Sequence, residues 1–446
     1  GLWSHMAPSI TTGPDGGPTE DGGPANRVAD PLAGLPAPWR RRRSDDGPPG
    51  GRSTVRWVGD VFSHHSLAHA NREIVRRLAA GGTALDVVAG TGERPPYPVD
   101  TVDELGGVAV RSTTGPVDEV AAAAAVEVRH QWPPDLSPPA GGRLVVMQPW
   151  EFGELPAEWV GPVRDIVDEL WVPTTWGRDC AVASGVPAGR VHVVPYGVDV
   201  DRFRPDGPRF ALATTKRTRL LFVGGCIERK GIDILLEAYL GAFGAADDVC
   251  LVVKPFGSDS VYRTSTLEAD VRRAAAGSGA SVEVVDGDLT GAEMADLFRS
   301  CDALVHPYRG EGFGLPIAEA MASGLPVVVP DDGPCLDFCD DRTGWLVPAR
   351  RVRIAPAEWT PTAGGSWWSE TSRLGLVAAL RQVVADPDER RRRGAAGRER
   401  IVAGFSWERT AAVVADRLAT LVGAPSDGVS SNGVSSESMR QEEVLV

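Results

Sequence analysis

No stretch of this 446-residue chain offers the eighteen consecutive apolar residues that a membrane-crossing helix needs. The first fifty residues contain no apolar block, so no secretory leader is expected. The six cysteines, Cys180, Cys226, Cys250, Cys301, Cys335 and Cys339, form no CxxC pair, which removes the common zinc and dithiol motifs. They fall mostly in apolar runs, the pattern of buried free thiols in a reducing cytoplasm. Positive charge is in deficit: 46 Lys and Arg face 60 Asp and Glu, a net charge of −14. A surface this acidic argues against nucleic acid as a general partner.

What remains is a globular composition, 42% hydrophobic and 24% charged, with length for two or three domains. Residues 1–6 (GLWSHM) read as a cloning remnant, with Met6 expected as the native start. Residues 1–52 are dominated by Gly, Pro, Asp and Thr and cannot bury enough apolar surface to offset their ordering entropy, so a disordered tail is expected. The basic run at 40–43 within it is either solvated or an anchor for peripheral contact with an anionic membrane. Residues 425–446 are expected to be a second disordered tail.

Between the tails, apolar β-branched runs alternate with helix-like segments. Strands are expected at 55–61, 84–89, 126–129, 144–147, 169–172 and 191–194, and again at 220–223, 249–253, 282–285, 303–305 and 327–329. A helix is expected at 68–80. Continuous apolar strands separated by helices indicate parallel sheets covered on both faces. The polar, proline-containing stretch 204–218 divides the two series. An α/β protein follows, with two Rossmann-like parallel-sheet domains facing a central cleft: 53–205, then 206–405, then a helix at 406–424 packing back towards the first. Ligand is expected at the carboxyl ends of the strands.

The segment 301–330 (CDALVHPYRGEGFGLPIAEAMASGLPVVVP) concentrates the chemistry. A strand ends at His306, a glycine-rich loop follows, Pro316 stands where a helix should begin and Gly324 just past its end. Such a loop presents free backbone N–H groups and the positive end of a helix dipole, a setting for phosphate. Glu311 lies in the loop and Glu319 eight residues on, read as the helix's first turn.

EGFGLPIAE resembles the E-x7-E signature of retaining, two-domain GT-B glycosyltransferases of the group 1, family 4-like type, which use nucleotide sugars. LFVGGCIERKGIDILLEAY (221–239) resembles the strand, loop and helix carrying that family's diphosphate clamp. VPYGVD (194–199) resembles its interdomain P-N-G-V-D element, and FSWERTAAVVADRL (405–418) its closing helix. The resemblance implies a cytoplasmic hexosyltransferase with a UDP, GDP or dTDP sugar as donor. The acceptor would be a small natural product or an envelope glycan or glycolipid, and no cofactor or metal would be needed. It implies catalytic roles for Glu311, Lys230 and His130: Glu311 at the sugar hydroxyls, Lys230 at the diphosphate, His130 at a strand end facing the cleft. The alternative for His130 is a satisfied structural histidine. Glu319 would accept from the ribose hydroxyls, and the amides of Gly312, Phe313, Gly314 and Leu315 would approach sugar and diphosphate. The family often carries an arginine five residues before the lysine; here that position is Gly225. Arg229 either supplies the second cation or pairs with Glu228 or another acid.

Other signals point elsewhere. Ser66 lies in a loop able to donate to phosphate. His65 and His69 have the spacing of a metal pair, with His64 beside them, but loop contacts to phosphate or acceptor are the preferred reading. The five tryptophans between 132 and 176 form either a stacking wall for acceptor or core. Asp199-Val200-Asp201 mimics a metal-binding D-x-D motif but sits where a turn and hinge are expected. LDVVAGTGE (85–93) resembles the glycine motif of S-adenosylmethionine-dependent methyltransferases, the rival enzyme class; a non-catalytic sugar-nucleotide binder is the other alternative. The Gly-, Ala- and Arg-rich composition suggests a high-GC organism such as an actinomycete.

Overall fold

A computed structural model describes residues 55–63, 65–89, 105, 107–112, 124–256, 266–277, 279–354 and 366–423. The two expected tails, the basic run at 40–43, His64 and residues 90–93 of the glycine motif lie outside the described residues.

Seven parallel strands form the first sheet: β1 (Val55–Val58), β2 (Leu85–Ala89), β3 (Val110–Ser112), β4 (Val126–Arg129), β5 (Arg143–Met147), β6 (Glu169–Val172) and β7 (Val191–Val193), in the order β3-β2-β1-β4-β5-β6-β7. Six more parallel strands form the second: β8 (Thr218–Gly224), β9 (Val249–Pro255), β10 (Ser281–Val284), β11 (Ala303–Val305), β12 (Val327–Pro330) and β13 (Gly344–Val347), in the order β10-β9-β8-β11-β12-β13. Valine-rich runs build both because a parallel strand is buried on both faces; Val249, Leu251, Val252 and Val253 of β9 are all buried. The strand order reverses between β1 and β4 in one sheet and between β8 and β11 in the other. Each sheet therefore has a crevice beyond its carboxyl edge at that switch point.

Helices α1 (Ser66–Ala80), α2 (Ala157–Asp165) and α3 (Thr175–Ala183) intervene in the first sheet. Helices α4 (Ile232–Ala242), α5 (Thr266–Ala275), α6 (Gly291–Arg299), α7 (Leu315–Ala322), α8 (Arg373–Ala385) and α9 (Pro387–Gly404) accompany the second. The last helix, α10 (Trp407–Gly423), returns to the first sheet. Arg77 of α1 donates to Glu408 at 2.8 Å, Thr410 Oγ1 donates to the Pro195 carbonyl at 2.8 Å, and fully buried Trp407 meets His69 and Tyr196. The VPYGVD segment passes under this crossover: Val198 N donates to the Phe405 carbonyl at 2.8 Å.

An antiparallel hairpin, β14 (Ala349–Arg353) and β15 (Trp367–Thr371), is inserted between β13 and α8. It was not foreseen from the sequence. It leaves the second sheet and rests on residues 150–154 of the first: Gly153 N donates to the Trp367 carbonyl at 2.9 Å, and Glu154 N to Ser366 Oγ at 2.7 Å. A Cβ on Gly153 would lie 1.9 Å from the Trp367 ring, so only glycine fits that seat.

Candidate active site

Two loops at the β8/β11 switch point carry the chemistry. The first leaves β8, makes a turn at Glu228–Lys230 and enters α4 through Gly231, whose φ of 73° suits glycine and whose Cβ would strike the Pro307 carbonyl. The second leaves β11 at His306 and enters α7 through Gly314, with φ of 93°. Pro316 is the second residue of α7 rather than the first, and Glu319 stands at the start of its second turn, one turn later than the spacing suggested.

The loops are zipped together by backbone. Arg309 N and Gly310 N both donate to the Arg229 carbonyl, at 2.8 and 3.3 Å. The consequence is an ion pair between the Lys230 ammonium and the Glu311 carboxylate, both mostly buried. Burial, the largest single influence, pushes the Glu311 carboxyl up, but Lys230, His306 and Arg229 together outweigh it and the net shift is downward: Glu311 is a carboxylate at neutral pH. Beyond it, the amides of Gly312, Phe313, Gly314 and Leu315, at the N-terminus of α7, have no hydrogen-bond acceptor among the described residues. The Phe313 ring itself is core, against Tyr196 and Phe338 at centroid distances of 5.6 and 5.1 Å. Glu319 is partly buried; burial pushes its carboxyl up to about 8, with Arg202 opposing.

Two further expected site residues, Arg229 and His130, are hydrogen-bonded within the protein. Arg229 is buried beside Lys230, with its guanidinium engaged within the protein. It donates to the Gly310 carbonyl at 2.9 Å and pairs with Glu151 of the first sheet's loop at 3.0 Å, so its acid partner lies across the cleft. His130 is fully buried, with Nδ1 at 2.7 Å from Asn71 Oδ1 and Nε2 at 2.7 Å from the Tyr196 hydroxyl. Both ring nitrogens are occupied, and burial pulls its pKa down to about 3. It lies at the end of β4, beside the β1/β4 switch point.

The remaining signals resolve simply. Ser66 is exposed at the start of α1, whose cap is His65, accepting from Ala68 N at 3.2 Å and lying 3.2 Å from Asp60. His69 packs on Trp407, and no cluster of three or more metal-ligating side chains exists among the described residues. Asp199 caps a turn by accepting from Arg202 N at 3.0 Å. Trp150, Trp159 and Trp171 are core, with only Trp132 substantially exposed at 38%. The six thiols are free and buried.

Sequence reasoning missed three groups. His306 is fully buried, with Nε2 3.2 Å from the Val223 carbonyl and 3.9 Å from Glu311, and burial pulls its pKa down to about 4. Glu151 and Arg309 complete the network around the ion pair. Only their closeness to the quoted motifs, in QPWEFG and HPYRGEG, hinted at them.

Residues 217–357, which hold every group of the ion-pair network except Glu151, match the family described as glycosyl transferases group 1. A GDP-mannose-dependent alpha-mannosyltransferase of Mycolicibacterium smegmatis is 31% identical over 232 residues, 51% of this chain and 55% of that protein. A D-inositol 3-phosphate glycosyltransferase of Xylanimonas cellulosilytica is 32% identical over 243 residues, 52% of each chain. The chain thus spans about half the length of the curated relatives it matches. Among solved structures, Anabaena Alr3699/HepE in complex with UDP and glucose superposes with a TM-score of 0.61 at 13% identity, over 82% of this chain and 100% of that one. Sucrose-phosphate synthase from Thermosynechococcus elongatus does so with a TM-score of 0.59 at 19% identity, over 82% and 99%. The fold is the two-domain GT-B arrangement.

Proposed function

We propose that this protein is a retaining hexosyltransferase that moves a sugar from a nucleoside-diphosphate donor to an acceptor hydroxyl without a metal ion. The observation that carries the reading is the Lys230–Glu311 ion pair beside the open amides of α7, at the switch point of the second sheet. An ion pair held ready in an anion-attracting crevice can be exchanged for a ligand. When a diphosphate arrives, Lys230 turns to it and releases Glu311 to the hydroxyls of the donor sugar. Lys230 and the α7 dipole then stabilise the charge that grows on the leaving phosphate. The bond from the anomeric carbon to the diphosphate breaks, and the acceptor oxygen bonds on the same face. Its proton passes to the departing phosphate. Glu319 accepts from the ribose hydroxyls.

The names of the relatives make GDP-mannose the first donor to try and an inositol phosphate the first acceptor. Free, buried cysteines suit a cytoplasmic setting. The test is a proton NMR time course with GDP-mannose, UDP-glucose and dTDP-glucose against acceptors led by inositol phosphate, run with and without excess EDTA. Transfer with the donor's anomeric configuration, insensitive to EDTA, is expected. An inverted product would overturn the retaining assignment. Loss of activity in EDTA, restored by Mg²⁺ or Mn²⁺, would overturn metal independence.

A further inference from the structure

Arg309 lies two residues before Glu311, in the loop that delivers it, and its side chain is 8% exposed. A guanidinium has five N–H donors, and here all five are used. Nε reaches Glu370 at 2.6 Å. Nη1 reaches the Glu228 carbonyl at 2.6 Å and Asp233 at 2.8 Å. Nη2 reaches Asp233 at 2.8 Å and Glu370 at 3.1 Å. The group also lies 5.2 Å over the ring of Trp368. Its own backbone N–H donates to the Arg229 carbonyl, and its carbonyl accepts from Ser369 N at 2.9 Å.

Those partners come from three segments outside the Glu311 loop that carries Arg309: the Glu228–Lys230 turn, the first turn of α4 and strand β15. None of them is a ligand-facing group in the mechanism above. We propose that Arg309 is a positioning residue that holds the Lys230 turn and the Glu311 loop in register, with the β14–β15 hairpin as its anchor. Resting on the donor-site reading above, this adds a path to the other sheet. The hairpin that supplies Glu370 and Trp368 also seats Trp367 on Gly153 and ties Arg353 to Glu154 at 2.7 Å. The approach of the first sheet's 150–154 loop is thereby transmitted through β15 and Arg309 to the ion pair.

Because Arg309 acts through Lys230, its effect should vanish when Lys230 is gone. The test is a double-mutant cycle on nucleoside-diphosphate affinity, measured by titration calorimetry with GDP and UDP. Arg309→Lys keeps the charge but loses the fork, so about tenfold weaker binding is expected in the wild-type background, a change of ~1.4 kcal/mol. In the Lys230→Ala background the same substitution should change affinity less than about twofold, the mark of a shared pathway. A merely structural arginine would lower the melting temperature in both backgrounds and leave the affinity losses multiplicative. Unchanged affinity in the single variant, or multiplicative losses in the double one, overturns the proposal. Should Arg309→Lys fail to fold, Glu370→Gln, which loosens only the hairpin end of the cluster, undergoes the same cycle with the same criteria. Wild-type protein that binds neither diphosphate would overturn the donor-site reading itself, and this proposal with it.

Discussion

Replacing Glu319 with glutamine should abolish a pH dependence of nucleotide binding that the wild-type protein possesses. With its carboxyl pushed to about 8, Glu319 is ionised in roughly one molecule in eleven at pH 7. A carboxylate accepting from two ribose hydroxyls is the stronger, charge-assisted partner. Binding at pH 7 must therefore first remove the proton, at ~1.4 kcal/mol for one unit of pKa above the solution pH. That cost disappears above the pKa, so affinity should rise about tenfold from pH 7 to 9. Titration calorimetry at pH 7, 8 and 9 with a nucleoside diphosphate reads the rise directly. Glu319→Gln should be flat over the same range and weaker than wild type at pH 9. Effects common to both proteins, the terminal phosphate's ionisation at ~6 and the Lys230 pKa lowered by burial, cancel in the ratio. Parallel pH profiles in the two proteins would refute an ionised Glu319 at the ribose. Without ligand the sign is opposite. The folded protein holds the Glu319 proton more tightly than the unfolded chain, so wild-type stability relative to Glu319→Gln should fall as pH rises from about 4.5 to 8.

Lys230→Ala should lower turnover by ~10²–10³-fold, the scale for removing one preorganised charge-stabilising donor, and should lower the melting temperature of the ligand-free protein, because Glu311 loses its partner in a mostly buried ion pair. His130 and His306, depressed by burial to about 3 and about 4, are neutral when folded and protonate more readily when unfolded. Stability is therefore expected to fall as pH drops below about 6.5, measured by denaturant unfolding, and His130→Gln should shrink that slope. Gly197→Ala would place a Cβ 2.3 Å from the Trp407 backbone nitrogen, and should cost ~1–3 kcal/mol by prying α10 from the first sheet.

The parallel strands could be read from the sequence because burial on both faces leaves unbroken β-branched runs such as those of β9 and β12. Strands without such an apolar run could not. Val110–Ser112 is three residues long, and the arginine-rich strand Ala349–Arg353 carries only the alternation of an exposed hairpin. Lys230 and Glu311 were legible because each lies in a local motif with its own glycine and helix signals. Their neighbours were not. Arg229 with Glu151, and Arg309 with Asp233 and Glu370, are contacts between residues far apart in the chain, which no local pattern encodes. His130 shows the same limit from the other side: its place at a strand end was correct, but the direction of its ring depended on Asn71 and Tyr196, 59 and 66 residues away.

Thermal unfolding of wild-type and Lys230→Ala protein in the presence of GDP, UDP, dTDP or S-adenosylhomocysteine tests the central claim most directly. One or more nucleoside diphosphates at a hundredfold the dissociation constant should stabilise the wild type by ~2.7 kcal/mol, and the same concentration should stabilise Lys230→Ala far less. Unmoved unfolding with every diphosphate, equal stabilisation of both proteins, or stabilisation by S-adenosylhomocysteine instead would contradict a diphosphate site built on Lys230 and Glu311.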